Sequence, residues 1–528
     1  MCGIFAYLGE KQPLNKLLLY FIKTSHRGPD NSKFVTIKKD LFFGFHRLRI
    51  NGLDTKSDQP FHLRKCHLIC NGEIYNFKEL IEKYKLEDDY YSNSDCEIII
   101  HLYKKLGIHK TLEELDGVFS FMLYDEESNE IIAARDPLGI RPLFMGKVEG
   151  ELAFSSEAKS ISFCDSYKQF PPGKYWTSSV PDEFVTYYDY NYPEVPVEDE
   201  EEVCRNIREK LTSAVKKRLM GERDVGCLLS GGLDSTLVTA LVCKHYGKGK
   251  VKTYSIGLQG SVDLYWAKKA SEYLGTDHHE ICLTEKEFLD AIPKTVMVTE
   301  SFCTTTIRAS VGNHLVSLYI KEHTDDTVIY CGDVADEIFG SYRGFMKAPS
   351  DEEFRTANEK IVRDVHLFDV LRSDRSISGA GLEARVPFAD KELVEYVMSL
   401  PSKYKTFDDT KIEKYYLRKA FEGYLPQDLL YRRKEAFSDG VSSQTRSWCE
   451  IIKDYADEQM TDESYEKLLK SFSESTNTVI PYDKESMMYR YLYHKFHPSV
   501  ELVPYYWRHP FCAENADPSA RLLDFYTE

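Results

Sequence analysis

The stretch that decides the fold of the second half of the chain is Val225-Gly226-Cys227-Leu228-Leu229-Ser230-Gly231-Gly232-Leu233-Asp234-Ser235. Its first five residues form a short apolar run, which predicts a buried strand of a parallel sheet. Apolar residues at positions 237, 238, 241 and 242 mark one face of a helix, and Gly247 predicts the end of that helix. Glycines between a strand and a helix allow an anion to approach backbone N–H groups and the positive helix end. The stretch therefore predicts an anion-binding turn.

The residues that follow repeat this strand–helix pattern. Residues 251–256 read as a strand, residues 264–274 as a helix and residues 279–283 as another strand. Alternation of strands and helices is typical of an α/β domain with a parallel sheet.

The first half of the chain has a different pattern. Short apolar runs at residues 41–45, 67–70, 118–124 and 131–134 alternate with turns, which predicts an antiparallel α+β domain. Residues 187–202 contain two prolines and an acidic run, which predicts an exposed connector. We therefore expect a first domain over residues 2–185, an acidic linker over 186–204, a second domain over 205–505 and a loose tail over 506–528.

Length and composition restrict the class of protein. A chain of 528 residues is expected to form two or three domains. A net charge of −17, without a basic block interleaved with aromatic residues, argues against a nucleic-acid partner. We expect no membrane span and no signal peptide, because no apolar run approaches the roughly 18 residues needed to cross a bilayer. The 13 cysteines show no paired framework, so we expect reduced thiols and a cytoplasmic protein.

The chain begins with Met1-Cys2, so a thiol stands at the second position. Removal of Met1 would leave a free α-amine on the residue that carries the thiol. An α-amine titrates at about pH 7.7–8.0, so it can serve as a general base for its own nucleophile. By itself, a cysteine at this position is more often accidental. Polar clusters at residues 26–30, 46–50 and 71–76, each between apolar runs, support the functional interpretation.

With Met1-Cys2-Gly3-Ile4, these clusters closely resemble the class II glutamine amidotransferase domain, which has the αββα sandwich of the N-terminal-nucleophile fold. The resemblance covers about the first 185 residues and includes residues 134–139 and 156–159. It implies that Cys2 is the nucleophile and that Asn71 and Gly72 form an oxyanion hole. The glutamine-binding residues that it implies are Arg47, Leu48, Arg49, Ile50, Asn51, Asn71, Gly72, Glu73 and Asp95. For Asp95 a helix-capping role within Ser94–Glu97 is the alternative.

The glycine turn resembles the pyrophosphate loop of ATP pyrophosphatases, which cleave ATP between the α- and β-phosphates. It has the pattern of neither a Walker A loop nor GxGxxG. The ATP-binding residues that the resemblance implies are Leu229, Ser230, Gly231, Gly232, Asp234, Ser235, Ile256, Cys331 and Gly332. It also implies Mg²⁺, with Asp234 and Asp336 as carboxylate ligands.

The order of the two halves resembles glutamine-dependent asparagine synthetases, and this resemblance extends to about residue 440. It implies that aspartate is activated as β-aspartyl-AMP and that ammonia from glutamine then displaces AMP. The residues that it assigns to aspartate or the intermediate are Thr305, Thr306, Arg308, Asp333 and Glu337, with Lys434 as a catalytic cation. The partners that it implies are the small-molecule substrates, and it allows a homodimer.

One segment departs from the family. Most members read Ser-Gly-Glu-Gly-Ser-Asp-Glu where this chain reads Cys331-Gly332-Asp333-Val334-Ala335-Asp336-Glu337. Asp333 keeps a carboxylate but is one methylene shorter, and Val334 replaces a glycine. We predict synthesis that is active but altered in rate or in coupling.

Two other functions stay open at this point. The first is a ligase of the same design that acts on a different carboxylic acid. The second is a glutamine-binding or regulatory protein whose synthetase half is degenerate. Only the altered segment 331–335 supports the second, and the retained Asp234, Arg308, Asp336 and Lys434 speak against it.

Overall fold

The computed structural model describes residues 1–197, 199–474, 479–497, 505–512, 514 and 517–523. The strands of the first half are β1 (Gly3–Leu8), β2 (Asn31–Lys38), β3 (Leu41–Arg47), β4 (Phe61–Leu63), β5 (Cys66–Ile74), β6 (Gly117–Asp125), β7 (Glu130–Arg135), β8 (Phe144–Val148), β9 (Glu151–Ser155), β10 (Ser166–Gln169), β11 (Lys174–Thr177) and β12 (Val185–Thr186). Its helices are α1 (Leu14–Phe21), α2 (Phe77–Tyr84), α3 (Ile98–Leu106) and α4 (Ile108–Glu114).

These strands form two antiparallel sheets that pack face to face. Their orders are β10-β8-β9-β1-β3-β2 and β12-β11-β7-β6-β5-β4. Alternate residues of each sheet meet in a shared core, with Ile4 and Phe43 from one sheet and Ile69, Met122 and Trp176 from the other. Helix α1 covers the outer face of the first sheet, and α2 and α3 cover the outer face of the second. The order of layers is therefore αββα, as the family resemblance implies.

The second half contains a parallel sheet. Its strands are β13 (Val225–Leu228), β14 (Lys252–Leu258), β15 (Asp277–Leu283), β16 (Val328–Tyr330) and β17 (Glu383–Arg385), in the order β15-β14-β13-β16-β17. Chain order reverses direction between β13 and β16, so the loops after these two strands leave the sheet side by side. The α/β prediction is confirmed, and the helix expected at 264–274 begins two residues earlier.

Helices surround this sheet. They are α5 (Glu200–Lys217), α6 (Leu233–Tyr246), α7 (Val262–Leu274), α8 (Glu285–Thr299), α9 (Thr304–His323), α10 (Ala335–Ile338), α11 (Asp351–Asp364), α12 (Asp369–Ser378), α13 (Lys391–Met398), α14 (Tyr415–Ala420), α15 (Gln427–Leu430), α16 (Phe437–Gly440), α17 (Trp448–Gln459), α18 (Asp462–Glu474) and α19 (Lys484–Phe496). Across the described ranges, none of these helices has the length and apolar character of a membrane span.

The described residues of the connector at 187–202 are mostly exposed, and its tyrosines attach it to the first half. The hydroxyl groups of Tyr187 and Tyr190 donate to backbone carbonyls of the first half at 2.7 and 2.5 Å, and Tyr192 is only 2% exposed. The acidic run belongs to the first turn of α5, where Asp199 accepts from the Glu201 N–H and carboxylates favour the positive helix end. Acidic residues here start a helix, which composition alone did not distinguish from a linker.

The expected loose tail is instead packed against the domain at several of its described residues. Trp507, Cys512 and Leu523 are each at most 5% exposed. Polar side chains of this segment contact α9 and the residues after α15, as described below. The segment lacks a helical or strand repeat, but it packs through individual side chains, which a search for periodicity does not detect.

Candidate active sites in both halves

Cys2 directly precedes β1 and contacts a residue of β5 and the residue that follows β3. Its backbone N–H donates to the Asn71 Oδ1 atom at 2.9 Å, and its Sγ atom lies 3.7 Å from the Leu48 carbonyl oxygen. Asn71 is fully buried, and its Nδ2 atom has no hydrogen-bond partner among the described residues. A buried amide with a free donor beside a thiol suits stabilisation of an oxyanion.

The electrostatics at Cys2 favour the neutral thiol. Burial raises the pKa of the Cys2 thiol above its ordinary value, although the terminal ammonium group acts in the opposite direction. That ammonium group belongs to Met1 and lies 3.0 Å from the Glu383 Oε2 atom, with both groups buried. The thiol therefore needs a nearby base before it can act as a nucleophile.

The side chains of Asn51, Glu73 and Asp95 meet in one cluster. The Asn51 amide donates to Glu73 and, at 3.2 Å, to the Asp95 Oδ1 atom. Burial raises the pKa of Asp95 to about 6, and burial together with Glu383 raises that of Glu73. A substrate ammonium group placed between these two buried carboxyl groups would favour their ionised forms and pair with them.

The capping alternative is confirmed in part, because Ser94 caps a short 3-10 helix over Asp95–Glu97 and Asp95 lies in its first turn, but the Asp95 side chain has a further partner. Its Oδ2 atom accepts from the Ile74 N–H at 2.6 Å, so the side chain faces β5. Glu97, the other acidic residue of the expected capping box, accepts instead from the Tyr91 and Ser92 N–H groups at 2.6 and 2.7 Å.

Residues 47–50, at the end of β3 and directly after it, contact other parts of the first half. The Arg47 guanidinium donates to the carbonyls of Gly52 and Asp54 and to Asp58, so it holds the loop after β3. Leu48 and Ile50 are buried, whereas the Arg49 N–H donates to the Asp30 carboxylate at 2.8 Å. These contacts fix the position of residues 47–50.

Sequence reasoning missed the role of Arg27. Its Nε–H donates to the Cys2 carbonyl at 2.9 Å, and its terminal nitrogens bind the Asp374 carboxylate at 2.8 and 3.0 Å. Glu157 completes this fully buried group at 2.8 Å. Arg27 therefore links the backbone of Cys2 to helix α12 of the second half. The polar cluster at residues 26–30 indicated a functional region that includes Arg27, but it did not indicate that Asp374 is its partner.

The glycine turn lies between β13 and α6, as expected. Gly231 has a φ of +70°, and a Cβ atom there would lie 2.3 Å from the Trp266 carbonyl carbon. A Cβ atom at Gly332, in the loop after β16, would lie 2.6 Å from the Ser235 nitrogen. The two loops therefore touch at the carboxyl edge of the sheet.

A pocket opens at this edge. The predicted residues that line it are Leu229, Ser230, Gly232, Asp234, Ser235, Ile256, Thr305, Cys331, Gly332, Asp333, Asp336 and Lys434. Gly231, Thr306, Arg308 and Glu337 are not among the lining residues. Leu229 and Ile256 contribute apolar surface, and the others contribute mainly polar atoms.

Two lysines meet two aspartates in this pocket. The Lys414 Nζ atom lies 2.5 Å from both Asp234 Oδ2 and Asp336 Oδ1, and the Lys434 Nζ atom lies 2.8 Å from the same Asp336 oxygen. Burial opposes ionisation of Asp336, but the two lysines hold its pKa well below the ordinary value. Lys414 was missed, because its surroundings in the sequence carry no recognised motif.

Asp333 and Val334 are fixed by helix α12. The Asp333 carboxylate accepts from Arg372 at 2.6 Å and from the Ser373 hydroxyl. Val334 has a φ of +76°, and its N–H donates to the Asp369 carboxylate at 3.0 Å. The altered segment is therefore tightly held, and it carries a β-branched residue in a conformation that normally favours glycine.

Arg308 does not reach the pocket. Its guanidinium is buried between the Glu485 and Asp517 carboxylates, with contacts of 2.6–3.0 Å, and the substrate contact expected for it stays a prediction. Thr305 lines the pocket with an Oγ1 atom that lacks a partner within the described part of the chain. Glu337 stands behind the pocket wall and accepts from the Tyr342 hydroxyl at 2.5 Å.

Family models match the two halves of the chain separately. A family model described as a glutamine amidotransferase domain matches residues 1–171, and one described as asparagine synthase matches residues 206–361 and 349–490. The glutamine-hydrolysing asparagine synthetase of Gallus gallus is 39% identical over 566 residues, covering 100% of this chain and 99% of the relative. That of Mus musculus is 39% identical over 565 residues, with the same coverage. A glutamine phosphoribosylpyrophosphate amidotransferase from B. subtilis aligns with a TM-score of 0.32 and 18% identity, over 53% of this chain and 81% of that chain.

Full-length identity at this level, in a chain with both folds and both sites, identifies the family. This chain belongs to the glutamine-hydrolysing asparagine synthetases.

Proposed function

We propose that this protein makes asparagine and glutamate from aspartate, glutamine and water, with conversion of ATP to AMP and diphosphate. The observation that carries the proposal is the meeting of Asp234, Asp336, Lys414 and Lys434 at the glycine turn. This charged group suits a polyphosphate and a carboxylate that must be brought together despite their like charges.

In the first half, we propose that Met1 is removed and that Cys2 is the nucleophile. The α-amine of Cys2 would then take the thiol proton, and the thiolate would attack the side-chain amide carbon of glutamine. The Asn71 amide and the Gly72 N–H would stabilise the oxyanion, and ammonia would leave as a thioester forms. Water would hydrolyse the thioester to glutamate. The roles proposed for Glu73 and Asp95 with the glutamine ammonium, and for Arg47 with its carboxylate, follow from the family resemblance.

In the second half, we propose that the β-carboxylate of aspartate attacks the α-phosphorus of ATP and expels diphosphate. The loop from Ser230 to Ser235 would hold the leaving diphosphate, and Leu229 and Ile256 would contact the adenosine. Lys434 would offset the charge that builds up when two anions react, and Asp333 and Thr305 would contact aspartate or the acyl-adenylate. Ammonia would then attack the acyl carbon and displace AMP.

We propose that Asp234 and Asp336 also hold Mg²⁺ when ATP is bound. Carboxylate oxygens are the ligands that Mg²⁺ prefers, and the Asp234 Oδ1 atom lacks a partner in the described ranges. Burial raises the pKa of Asp234, while Lys414 beside it favours the ionised form. A bound cation would neutralise phosphate charge there.

The decisive experiment measures diphosphate and asparagine with ATP, Mg²⁺ and aspartate, supplying either glutamine or ammonium. We expect equimolar asparagine and AMP from either nitrogen source. Cys2→Ala should abolish only the glutamine reaction, and Cys282→Ala, at an exposed cysteine, should change neither. Diphosphate release with another carboxylic acid but not with aspartate would contradict the proposal.

Three further proposals concern the setting of this activity. We propose that residues 2–185 and 205–505 form the two functional units. We also propose that the protein is a homodimer and that it is located in the cytoplasm. Light scattering on the purified protein tests the second, and imaging of a fluorescent fusion tests the third.

A further inference from the structure

The described C-terminal residues, 505–512, 514 and 517–523, are called the C-terminal segment below. They contact three parts of the synthetase half: helix α9, the loop that carries Lys434, and the residues after α10. Within the segment, Trp507 is 5% exposed, although its neighbour Arg508 is exposed. The segment therefore has one side that is buried against the domain.

Trp507 packs against the residue that holds the catalytic groups. Its ring lies 4.8 Å from the Tyr342 ring, centroid to centroid, in an edge-to-face arrangement. Tyr342 also contacts two residues with expected roles in synthesis: the Lys434 Nζ atom lies 4.3 Å from its ring centroid, and its hydroxyl donates to Glu337 at 2.5 Å. One aromatic ring thus touches a proposed catalytic lysine, a buried carboxylate and Trp507.

A second set of contacts fixes the loop around Lys434. The Arg521 Nε–H donates to the Glu435 carboxylate at 2.9 Å, and the Ser519 hydroxyl donates to Asp439 at 2.9 Å. Asp517 binds Arg308 of helix α9 at 2.9 and 3.0 Å. The segment therefore holds the loop at Glu435 and Asp439, on the C-terminal side of Lys434, and ties it to α9, whose Thr305 lines the pocket.

These contacts form a wall of a cavity beside the ATP pocket. Tyr342, Lys434, Trp507 and His509 line this cavity, and it shares Thr305, Tyr342 and Lys434 with the pocket at the glycine turn. In the C-terminal segment, Trp507 is thus separated from the Lys434 ammonium group by one side chain, that of Tyr342.

From this arrangement we infer that the C-terminal segment is part of the synthetase centre, with Trp507 as a positioning residue for Lys434 and Glu337 through the Tyr342 ring. The inference rests on the proposed role of Lys434 in the reaction. Lys434 belongs to a loop without a strand or long helix to anchor it, so its position depends on side-chain contacts: its N–H donates to Glu413, and its ammonium group contacts Asp336 and the Tyr342 ring. Loss of the Trp507 ring would let Tyr342 and the Lys434 ammonium shift, without removing any group that touches substrate.

The test compares Trp507→Ala, Trp507→Phe and the control Arg508→Ala in the full chain. We expect Trp507→Ala to lower kcat for ammonium-dependent asparagine formation by about tenfold or more, since small misplacements of catalytic groups are costly. KM for ATP and glutamate release from glutamine should change by less than about threefold, because the glycine turn and Cys2 are untouched. Trp507→Phe should recover most of the loss, and Arg508→Ala should match the wild type. Equal losses in Trp507→Ala and Trp507→Phe, or none in either, would overturn the inference.

Hydrogen exchange provides a readout that does not depend on activity. Trp507→Ala should increase exchange of the amides in residues 335–343 and 433–443, and Arg521→Ala should increase it in 433–443. Exchange as slow as in the wild type would overturn the inference even if the variants were inactive. A wild type that makes no asparagine would instead overturn the proposed function. The hydrogen-exchange result would then still test whether Trp507 positions Tyr342 and the Lys434 loop.

Discussion

Val334 shows how one residue can carry strain in an otherwise relaxed segment. Its φ of +76° lies in the left-handed region, where an L-residue with a Cβ atom is disfavoured by roughly 1–2 kcal/mol. The hydrogen bond from its N–H to Asp369 and its buried side chain hold it there. The strain lies directly between Asp333 and the helix that presents Asp336.

We predict that Val334→Gly is more stable than Val334→Ala by about 1 kcal/mol, because both lose the valine side chain but only glycine relieves the backbone strain. Denaturant unfolding measures the difference. The neighbouring Ala335→Gly, in α10, is the control and should be destabilising by about 0.5–1 kcal/mol relative to the wild type. An alanine variant at position 334 that is as stable as the glycine variant would contradict the prediction.

Asp333→Glu tests the shorter carboxylate. One extra methylene moves the carboxylate by about 1.5 Å, away from its contacts with Arg372 and Ser373. We expect at least a threefold change, as an order of magnitude, in kcat or in AMP formed per asparagine, with glutamate release unchanged. The exposed Asp325→Glu is the matched control. If Asp333→Glu changes neither adenylate formation nor ammonia capture, the prediction is wrong.

At the level of elements, the turn between β13 and α6 depends on close packing against α7. Gly231 combines a positive φ with a position where a Cβ atom would lie 2.3 Å from the Trp266 carbonyl carbon. Gly249, after the same helix, also has a positive φ of +72° but has nothing within 4 Å of its Cβ position.

Gly231→Ala should therefore displace the loop and lower ATP-dependent diphosphate release by about a hundredfold. Gly249→Ala shares the backbone strain without the clash, so it should keep nearly full activity with a loss of stability of about 1 kcal/mol. Diphosphate release and thermal unfolding separate the two effects. Equal activity of the two variants would show that the loop tolerates the displacement.

At the scale of the whole molecule, the two halves are joined by buried charges. The Arg27–Asp374 pair lies in the interface with both side chains at most 3% exposed, and Arg27 also holds the Cys2 backbone. The Lys217–Asp116 pair joins the same halves, but its side chains are 17% and 25% exposed.

We predict that Asp374→Asn destabilises the protein by about 3–5 kcal/mol, because it leaves a buried guanidinium partly unpaired. It should also raise the glutamate released per asparagine formed, since Arg27 then holds Cys2 less firmly. Asp116→Asn should cost less than about 1 kcal/mol and leave the ratio unchanged. The ratio of the two products measures this coupling, and an unchanged ratio in Asp374→Asn would contradict the prediction.

The pH dependence of stability should contain a contribution from Lys405. Burial, with Arg355 nearby, lowers the pKa of Lys405 to about 7 from an ordinary 10.5. Its Nζ atom donates to Asn358 at 2.9 Å. Between these pKa values the unfolded chain binds a proton that the folded protein does not, so this group's contribution to stability falls as pH decreases from 10.5 to about 7.

The slope from this group should reach at most about 1.4 kcal/mol per pH unit. Lys405→Met should flatten the dependence of the free energy of unfolding on pH in this window, and the exposed Lys403→Met should not. Chemical denaturation at several pH values measures the slope. Parallel curves for Lys405→Met and the wild type would contradict the prediction.

The sequence by itself determined the two-domain plan, both sheet types and the glycine turn. It also identified Cys2 as a candidate, whereas Asn71 was implied by the family resemblance. These features depend on patterns within a few residues: periods of two and 3.6, glycines at a turn, and short polar clusters. Such patterns act locally, so they can be read without knowing the topology.

Only the tertiary structure decided which distant charges meet. Lys414 lies between Asp234 and Asp336 although it is 180 positions from Asp234 along the chain. Arg308 is paired with Glu485 and Asp517 and does not reach the pocket, and the C-terminal segment packs against the synthetase half. A buried ion must find a counter-ion wherever the fold brings one, so its partner depends on the path of the whole chain.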